Sequence, residues 1–245
     1  MNYKISGGNL QLVTIQLGQN EKIYAEAGTM VYMSGNINME AKMRGGFLKG
    51  IGRKFMGETM FLTEFTTAGG EGMVSFGGAV PGTIKALEVN AENQWMVQKD
   101  AFLVAEDKVE LNIGFQKRLG TAFFGGEGFI LQKLSGQGTV FIHACGDFVE
   151  FDLQPEQLLK VDTGSVVGWE HTIDFDIQRV KGIKTMFFGG EGLFLTTLRG
   201  PGKVILQSMN LANLASALSP FLPRHNTSGS NSGVVGTLVK ESLGR

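Results

Sequence analysis

The sequence predicts an all-β protein built from three tandem copies of one β unit. The first observation behind this prediction is an internal repeat, because the stretch at residues 124–131 returns almost unchanged at 188–195, with a weaker copy at 55–62. The second observation is the composition, which has 36 glycines but only 5 prolines among 245 residues. The glycines stand in short clusters between apolar runs, a pattern typical of tight turns between strands. A sequence that repeats in this way folds into repeated structural units.

Each copy has the same order of predicted elements. A polar turn leads into a strand, and a small residue then precedes a short apolar run. The small residues of the three copies are Gly28, Ala101 and Gly164. The repeated motif follows, and a glycine turn such as Gly136-Gln137-Gly138 then opens another β-rich run. A Gly-x-Gly turn between two alternating runs predicts a hairpin whose turn residues have positive φ.

Helical sequence is scarce in this chain. Residues 209–218 carry apolar side chains at 211, 214, 215 and 218, which is the spacing of one helical face, and Pro220 ends the segment. We therefore predict a first unit at residues 1–90, a second at 91–153, a third with a C-terminal helix at 154–218, and a flexible tail at 219–245. We expect the three units to close around a pseudo-threefold axis, since a ring would cover the strand edges that each unit alone would expose.

With these elements the chain resembles an uncharacterised family of bacterial proteins related to the mitochondrial "altered inheritance of mitochondria" protein. The motifs at 124–131 and 188–195 carry most of this resemblance, which covers roughly residues 3–218. It implies three fused units similar in fold to the tryptophan RNA-binding attenuation protein (TRAP), each a β-sandwich or short double-stranded β-helix. It implies no biochemical activity. TRAP binds tryptophan between units and RNA on its rim, but its ligand residues have no matching positions here, so none is carried over.

Bulk properties exclude several classes of protein. The net charge of −1 gives no global attraction to nucleic acid or to anionic membranes. A single cysteine, Cys145, cannot form an intramolecular disulfide, which fits a reducing compartment. No apolar run approaches the ~20 residues that span a bilayer, and the N-terminus has no pattern of a secretion signal. We therefore expect a cytoplasmic protein with no transmembrane segment.

Basic residues precede every copy of the repeated motif. They include Arg53 and Lys54, Lys117 and Arg118, and Arg179, Lys181 and Lys184. The motif glutamates are Glu58, Glu127 and Glu191. In a structural interpretation, each glutamate pairs with a neighbouring base or accepts backbone N–H bonds that fix the start of a strand. In a functional interpretation, the basic loops converge on a site for an anion, such as a phosphate or a nucleic acid.

Candidate catalytic and metal-binding residues are few. The Val-Asp-Thr-Gly run that contains Asp162 is similar to an aspartic protease motif, but the other two units do not repeat it, so the chain cannot supply the second carboxylate. His143 and Cys145 share one face of a predicted strand and could begin a metal site or a Cys–His pair. Their equivalents in the third unit are Gln207 and Met209, which do not support either role. We expect no catalytic residue, no metal and no cofactor.

Three functional hypotheses follow from the sequence. The first is a non-catalytic intracellular binding or scaffold protein that forms homo-oligomers and has an unknown protein partner. The second is a binder of anions or nucleic acid that uses the basic loops before the three motifs. The third is an enzyme of unknown class, with Asp162, His143 or Cys145 as candidate catalytic residues.

Overall fold

A computed structural model describes residues 1–43, 61–117, 128–180 and 194–221 of the chain. These residues confirm the predicted all-β fold with a short C-terminal helix. The strands are β1 (Asn2–Ser6), β2 (Leu12–Leu17), β3 (Lys22–Glu26), β4 (Met30–Met33), β5 (Ile37–Met43), β6 (Phe61–Thr67), β7 (Gly72–Gly77), β8 (Gly82–Val89), β9 (Trp95–Gln98), β10 (Phe102–Glu106), β11 (Val109–Lys117), β12 (Phe129–Gly136), β13 (Gly138–Cys145), β14 (Phe148–Leu153), β15 (Leu158–Asp162), β16 (Val166–Glu170), β17 (Asp174–Arg179), β18 (Phe194–Arg199) and β19 (Gly202–Gln207). The helix is α1 (Leu211–Leu218), and short 3-10 turns stand at Lys99–Ala101, Thr163–Ser165 and Ser219–Phe221.

The described strands form four antiparallel sheets, numbered here in chain order. Sheet I has the order β1-β2-β7-β4, and sheet IV has the order β15-β18-β17. Sheet II has the order β5-β6-β3-β10-β13-β8, and sheet III has the order β11-β12-β9-β16-β19-β14. Sheet II therefore joins one half of the first unit to one half of the second, and sheet III joins the second unit to the third in the same way.

The pairing pattern repeats from unit to unit. The trio β2-β7-β4 recurs as β8-β13-β10 and as β14-β19-β16, while β5-β6-β3 recurs as β11-β12-β9 and as β17-β18-β15. By this pattern the strands of the second copy run from β8 at Gly82 and those of the third from β14 at Phe148. In each copy the first strand of the trio pairs with the last strand of the same copy. The domain boundaries predicted at 91 and 154 stay predictions.

Three hydrophobic cores lie between successive sheets. The core between sheets I and II includes Val13, Phe76 and Phe141, the core between sheets II and III includes Trp95 and Val140, and the core between sheets III and IV includes Trp169 and Leu198. A strand of an outer sheet, such as β2, alternates between buried and more exposed residues. The inner strand β13 is buried at nearly every position because it has a core on both faces.

Strand pairing among residues 1–43, 61–117, 128–180 and 194–221 does not close the predicted ring. Closure would join β15 of the third unit to β4 of the first, as β3 joins β10 and as β9 joins β16. The ladders of the described residues include no pairing between β4 and β15. The sheets therefore form an open series, and the pseudo-threefold symmetry stays a prediction.

Candidate functional site: two unpaired strand edges

The two joints between units use the same register. In the first joint Val104 lies opposite Ala25 and Ala105 lies opposite Tyr24. In the second joint Gly168 lies opposite Val97 and Trp169 lies opposite Met96. The strand on the C-terminal side of each joint thus begins its ladder two residues after the first residue of the strand.

A β-bulge at the same position marks the joining strand in every unit. The register shifts between Phe102 and Val104 in β10, between Val166 and Gly168 in β16, and between Met30 and Tyr32 in β4. A bulge places one extra residue opposite its partner strand and redirects its side chain. The bulge residues are Leu103, Val167 and Val31, respectively.

The three bulge residues differ sharply in exposure. Leu103 is 1% exposed and packs in the core between sheets I and II, while Val167 is 0% exposed and packs in the core between sheets II and III. Each of these side chains therefore fills part of the core of the preceding unit. Val31 is 54% exposed, and the described residues include no preceding unit that would cover it. The neighbouring β4 residues Tyr32 and Met33 are 45% and 37% exposed.

The outer edge of β15 stands at the other end of the series. Val161 faces the core between sheets III and IV, and Leu159 packs against that core while only partly buried. Leu158 at the start of the strand is 54% exposed. Within the described ranges, no residue from a following unit supplies a bulge side chain to this core. We call the outer edges of β4 and β15 the free edges, because no described strand pairs with them, whereas the equivalent edges of β10, β16, β3 and β9 are all paired.

Asp162, at the end of β15, belongs to a hydrogen-bonded turn. Its Oδ1 accepts the backbone N–H of Gly164 at 3.0 Å, and its Oδ2 lies 3.4 Å from the side-chain amide nitrogen (Nδ2) of Asn210. The amide of Gln207 donates to the carbonyl of Gly164 at 2.9 Å. The geometry gives Asp162 the role of fixing the turn between β15 and β16.

His143 and Cys145 are both buried on β13, at 6% and 4% exposure. The imidazole packs so closely on the loop before β8 that a Cβ added to Gly78 would lie 2.3 Å from a ring atom. Burial lowers the pKa of His143, against the opposing effect of a hydrogen bond to the backbone of Val80. Burial also raises the pKa of Cys145, which disfavours the reactive thiolate. In the described part of the chain no three His, Cys, Asp or Glu side chains cluster as metal ligands.

Most residues of the predicted anion site lie outside the described residues. These are Arg53, Lys54, Arg118, Lys181 and Lys184, together with the motif glutamates Glu58, Glu127 and Glu191. Lys117 and Arg179 are described.

Lys117 ends β11, and its Nζ donates to the carbonyl of Ile177 at 2.7 Å. Arg179 ends β17, two residues beyond Ile177. The stems of the second and third basic loops are therefore adjacent.

Sequence reasoning missed a charged cluster on sheet II. Glu64 on β6 is only 6% exposed, and its carboxylate forms an ion pair with Lys42 and lies 3.9 Å from the Nζ of Lys22. The hydrogen bond to Glu64 raises the pKa of Lys42. The cluster lines a groove of about 440 Å³. The sequence carried no signal for this cluster, because Glu64 lies among the threonines of β6 and its partners come from two other strands.

Comparison with known proteins places this architecture in a family. The family model described as mitochondrial biogenesis AIM24 matches residues 3–209. The chain belongs to the AIM24 family. A relative from Streptococcus pyogenes serotype M6, named an uncharacterized protein, is 32% identical over 220 residues, which is 86% of this chain and 87% of the relative. The crystal structure of a Streptococcus pyogenes protein superposes with a TM-score of 0.72 at 26% identity and covers 90% of this chain and 99% of that one.

Membership of the AIM24 family confirms the predicted recognition, while the similarity of each unit to TRAP stays a prediction. Among the described residues, no helix is long and apolar enough to cross a membrane.

Proposed function

We propose that this AIM24-family chain is a non-catalytic intracellular scaffold whose copies join head to tail. In the joint, β15 of one copy pairs with β4 of the next. The observation that carries the proposal is the exposure of Val31, since its two equivalents Leu103 and Val167 are buried in the core of a preceding unit. A second copy supplies the preceding unit that Val31 lacks.

The repeat also gives the register of the proposed joint. Position by position, β15 corresponds to β3 and β9, and β4 corresponds to β10 and β16. Transferring the two internal registers places Tyr32 opposite Val161, Met33 opposite Lys160, and Ser34 opposite Leu159. The bulge would then direct Val31 into the core between sheets III and IV of the neighbouring copy.

Exposed strand edges and apolar side chains supply the driving force. Burying one large apolar side chain stabilises a complex by about 1.5–3 kcal/mol, and Val31, Tyr32, Met33 and Leu158 are all at least one-third exposed. This gain must exceed the cost of association, which is about 4–15 kcal/mol. The pairing is heterologous, so it makes a ring if the rotation closes and a filament if it does not.

The test is the mass of the protein in solution before and after the Val31→Lys substitution. A lysine at the bulge cannot enter the neighbouring core without losing hydration of its charge, so we expect the variant to be a monomer of 26.4 kDa. The matched control is Met39→Lys, at a similarly exposed residue (51%) of β5, whose equivalents β11 and β17 make no joint. Light scattering behind size exclusion should give multiples of the chain mass for the wild type and the control. A monomeric wild type, or an unchanged Val31→Lys variant, would overturn the proposal.

A second candidate function is binding of polyanions at the basic loops. Its support is the adjacency of the two loop stems, where Lys117 contacts β17 two residues from Arg179. Each phosphate contact contributes a slope of about −0.7 to −0.9 to the dependence of log affinity on log salt. Titration of fluorescent RNA at low and high salt tests this candidate, with an Arg179→Ala variant. An affinity for RNA that does not change with salt concentration, or that is the same in the Arg179→Ala variant, would contradict this candidate.

A further inference from the structure

The outer face of sheet I, turned away from the first unit's own core, carries a row of residues that differs from its equivalents. In each unit the row crosses the first, last and joining strands at the same place in the ladders. The rows are Thr14, Ser75 and Tyr32 in the first unit, Ala86, Phe141 and Val104 in the second, and Glu150, Ile205 and Gly168 in the third. The largest hydrophobic side chain of the row therefore stands on the last strand in two units, and on the joining strand β4 in the first.

At the two internal joints, the residue of the row on the last strand fills part of the core of the preceding unit. Phe141 is 0% exposed and packs in the core between sheets I and II, which also holds Ile15 of β2. Ile205 is 1% exposed and packs in the core between sheets II and III, which also holds Leu87 of β8. Ile15 and Leu87 are equivalent residues of the first strands, and both are buried. A side chain from the following unit thus shares the core with the first strand of each of the first two units.

The third unit leaves the same part of its first strand exposed. The residue of β14 equivalent to Ile15 and Leu87 is Phe151, which is 37% exposed. Val149 lies two residues earlier on the same side of the strand, and it is 42% exposed although its equivalent Val13 is buried. We call Val149 and Phe151 the β14 patch. Among the described residues, no side chain of a following unit covers this patch.

Hydrogen bonds hold the Tyr32 ring across the last strand of the first unit. The Tyr32 hydroxyl lies 2.9 Å from Oγ1 of Thr14, which donates to Oγ of Ser75 at 3.2 Å. Tyr32 is on β4 and Thr14 is on β2, so the ring between them lies over β7 and covers Ser75, which is 0% exposed. Tyr32 itself is 45% exposed. The ring therefore lies above the place that Phe141 and Ile205 occupy on the other last strands, with part of its surface open to a partner.

There is little room for a large side chain on the joining strand itself. In the second internal joint the residue of the row is Gly168, and a Cβ added there would lie 2.6 Å from the carbonyl oxygen of Met96 on the adjoining strand. In the first internal joint it is Val104, which lies opposite the small residue Ala25. The proposed joint between copies places the much larger Tyr32 at this position. Its ring therefore has to lie over β7, as the hydrogen bonds hold it, for the two free edges to pair.

We infer that the Tyr32 ring docks on the β14 patch of a second copy of this chain, with Thr14 as the residue that positions the ring. This inference rests on the proposed head-to-tail joint and gives it an aromatic anchor. In the contact, the ring does for the neighbouring copy what the last-strand residues of the second and third units do within the chain. The start of β14 takes no part, since the Ser208 hydroxyl accepts the N–H of Asp147 at 2.9 Å and closes that position within the chain.

The experiment measures the self-association constant of the full chain by sedimentation. Tyr32→Ser removes the ring and Phe151→Ser removes part of the patch, and each should weaken association by about tenfold or more, as expected for an aromatic anchor of an interface. The double variant should associate no more weakly than the weaker single variant, because both substitutions remove the same contact. The matched control is Tyr3→Ser, at a tyrosine that is 40% exposed on β1, the opposite edge of sheet I from β4. It should change association less than about twofold.

Two further variants test how the ring is held. Tyr32→Phe keeps the ring but loses the hydrogen bond to Thr14, so association should weaken by about fivefold, the effect of one lost hydrogen bond. Tyr32→Val combined with Ser75→Phe transfers the pair found in the second unit, and it should associate within about threefold of the wild type, because the bulk is moved rather than removed. Unchanged association of Tyr32→Phe would contradict the positioning role of Thr14.

The outcomes separate this inference from the proposed function. If Val31→Lys dissociates the assembly while Tyr32→Ser and Phe151→Ser leave it unchanged, the head-to-tail joint stands and docking of the ring is wrong. If Phe151→Ser lowers the free energy of unfolding of the separate chain without changing association, the β14 patch is covered within its own chain, which also overturns the inference. A wild type that does not associate overturns both.

Discussion

Substituting alanine for the buried bulge residues Leu103 and Val167 should lower the free energy of unfolding more than the same substitution at the exposed bulge residue Val31. Leu103→Ala removes a side chain that is 1% exposed and fills the core between sheets I and II, so it should lower the free energy of unfolding by about 2–5 kcal/mol. Val167→Ala should cost about 2 kcal/mol, from ~0.8 kcal/mol for each buried methylene plus the cavity left behind. Val31→Ala should cost less than about 1 kcal/mol in the separate chain, because Val31 is already 54% exposed.

The assay is urea denaturation followed by tryptophan fluorescence. Trp95 and Trp169 are 6% and 0% exposed, so both report unfolding of the cores. The protein must be dilute enough for chains to be separate, as checked by sedimentation. Leu103→Met, which nearly conserves volume, serves as the control and should cost less than about 1.5 kcal/mol. If Leu103→Ala costs no more than Val31→Ala, the bulge residues do not fill the preceding core and the reasoning behind the joint fails.

Three further predictions concern the buried polar groups. Since burial lowers the pKa of His143, the unfolded chain takes up a proton first, and stability should fall as pH drops below about 6.5; His143→Gln should reduce this slope in denaturant titrations at several pH values. Lys42→Met should destabilise the chain more than Lys22→Met in thermal unfolding, because Lys42 makes the closer ion pair with the buried Glu64. Asp162→Ala should lower stability by about 1 kcal/mol through loss of the turn hydrogen bond, and an equal effect of Asp162→Asn would show that the charge contributes.

Local features of the fold followed from the sequence. The glycine turn predicted at 136–138 is the hairpin between β12 and β13, with φ of 90° at Gly136 and 148° at Gly138. The apolar spacing at 209–218 predicted a helix, and α1 occupies 211–218. Both signals are local, because the conformation of a turn or of one helical face depends on residues close together in the chain.

Sharing of sheets between units could not be predicted in the same way. Alternation tells which face of a strand is buried but not which strand lies beside it. In β13 even the alternation is lost, because both faces are buried. The structure was therefore needed to show which sheets the units share.

The free edges were also beyond sequence reasoning. Val31, Leu103 and Val167 are all apolar and occupy equivalent positions, and only the structure separates the exposed residue from the two buried ones. Similarly, Glu64 differs from an ordinary surface glutamate only because Lys42 and Lys22 lie across neighbouring strands.

The register of the joint between copies is the central claim, and covalent trapping tests it most directly. Opposite residues in an antiparallel ladder have Cα atoms about 4.5–5.5 Å apart, a separation that a disulfide spans. One batch would carry Met33→Cys and a second Lys160→Cys, both with the single native cysteine removed as Cys145→Ala. Mixed and oxidised, they should give a covalent dimer that neither batch gives alone. Absence of that dimer, or an equal yield when Lys160→Cys is replaced by Leu158→Cys, would contradict the proposed register.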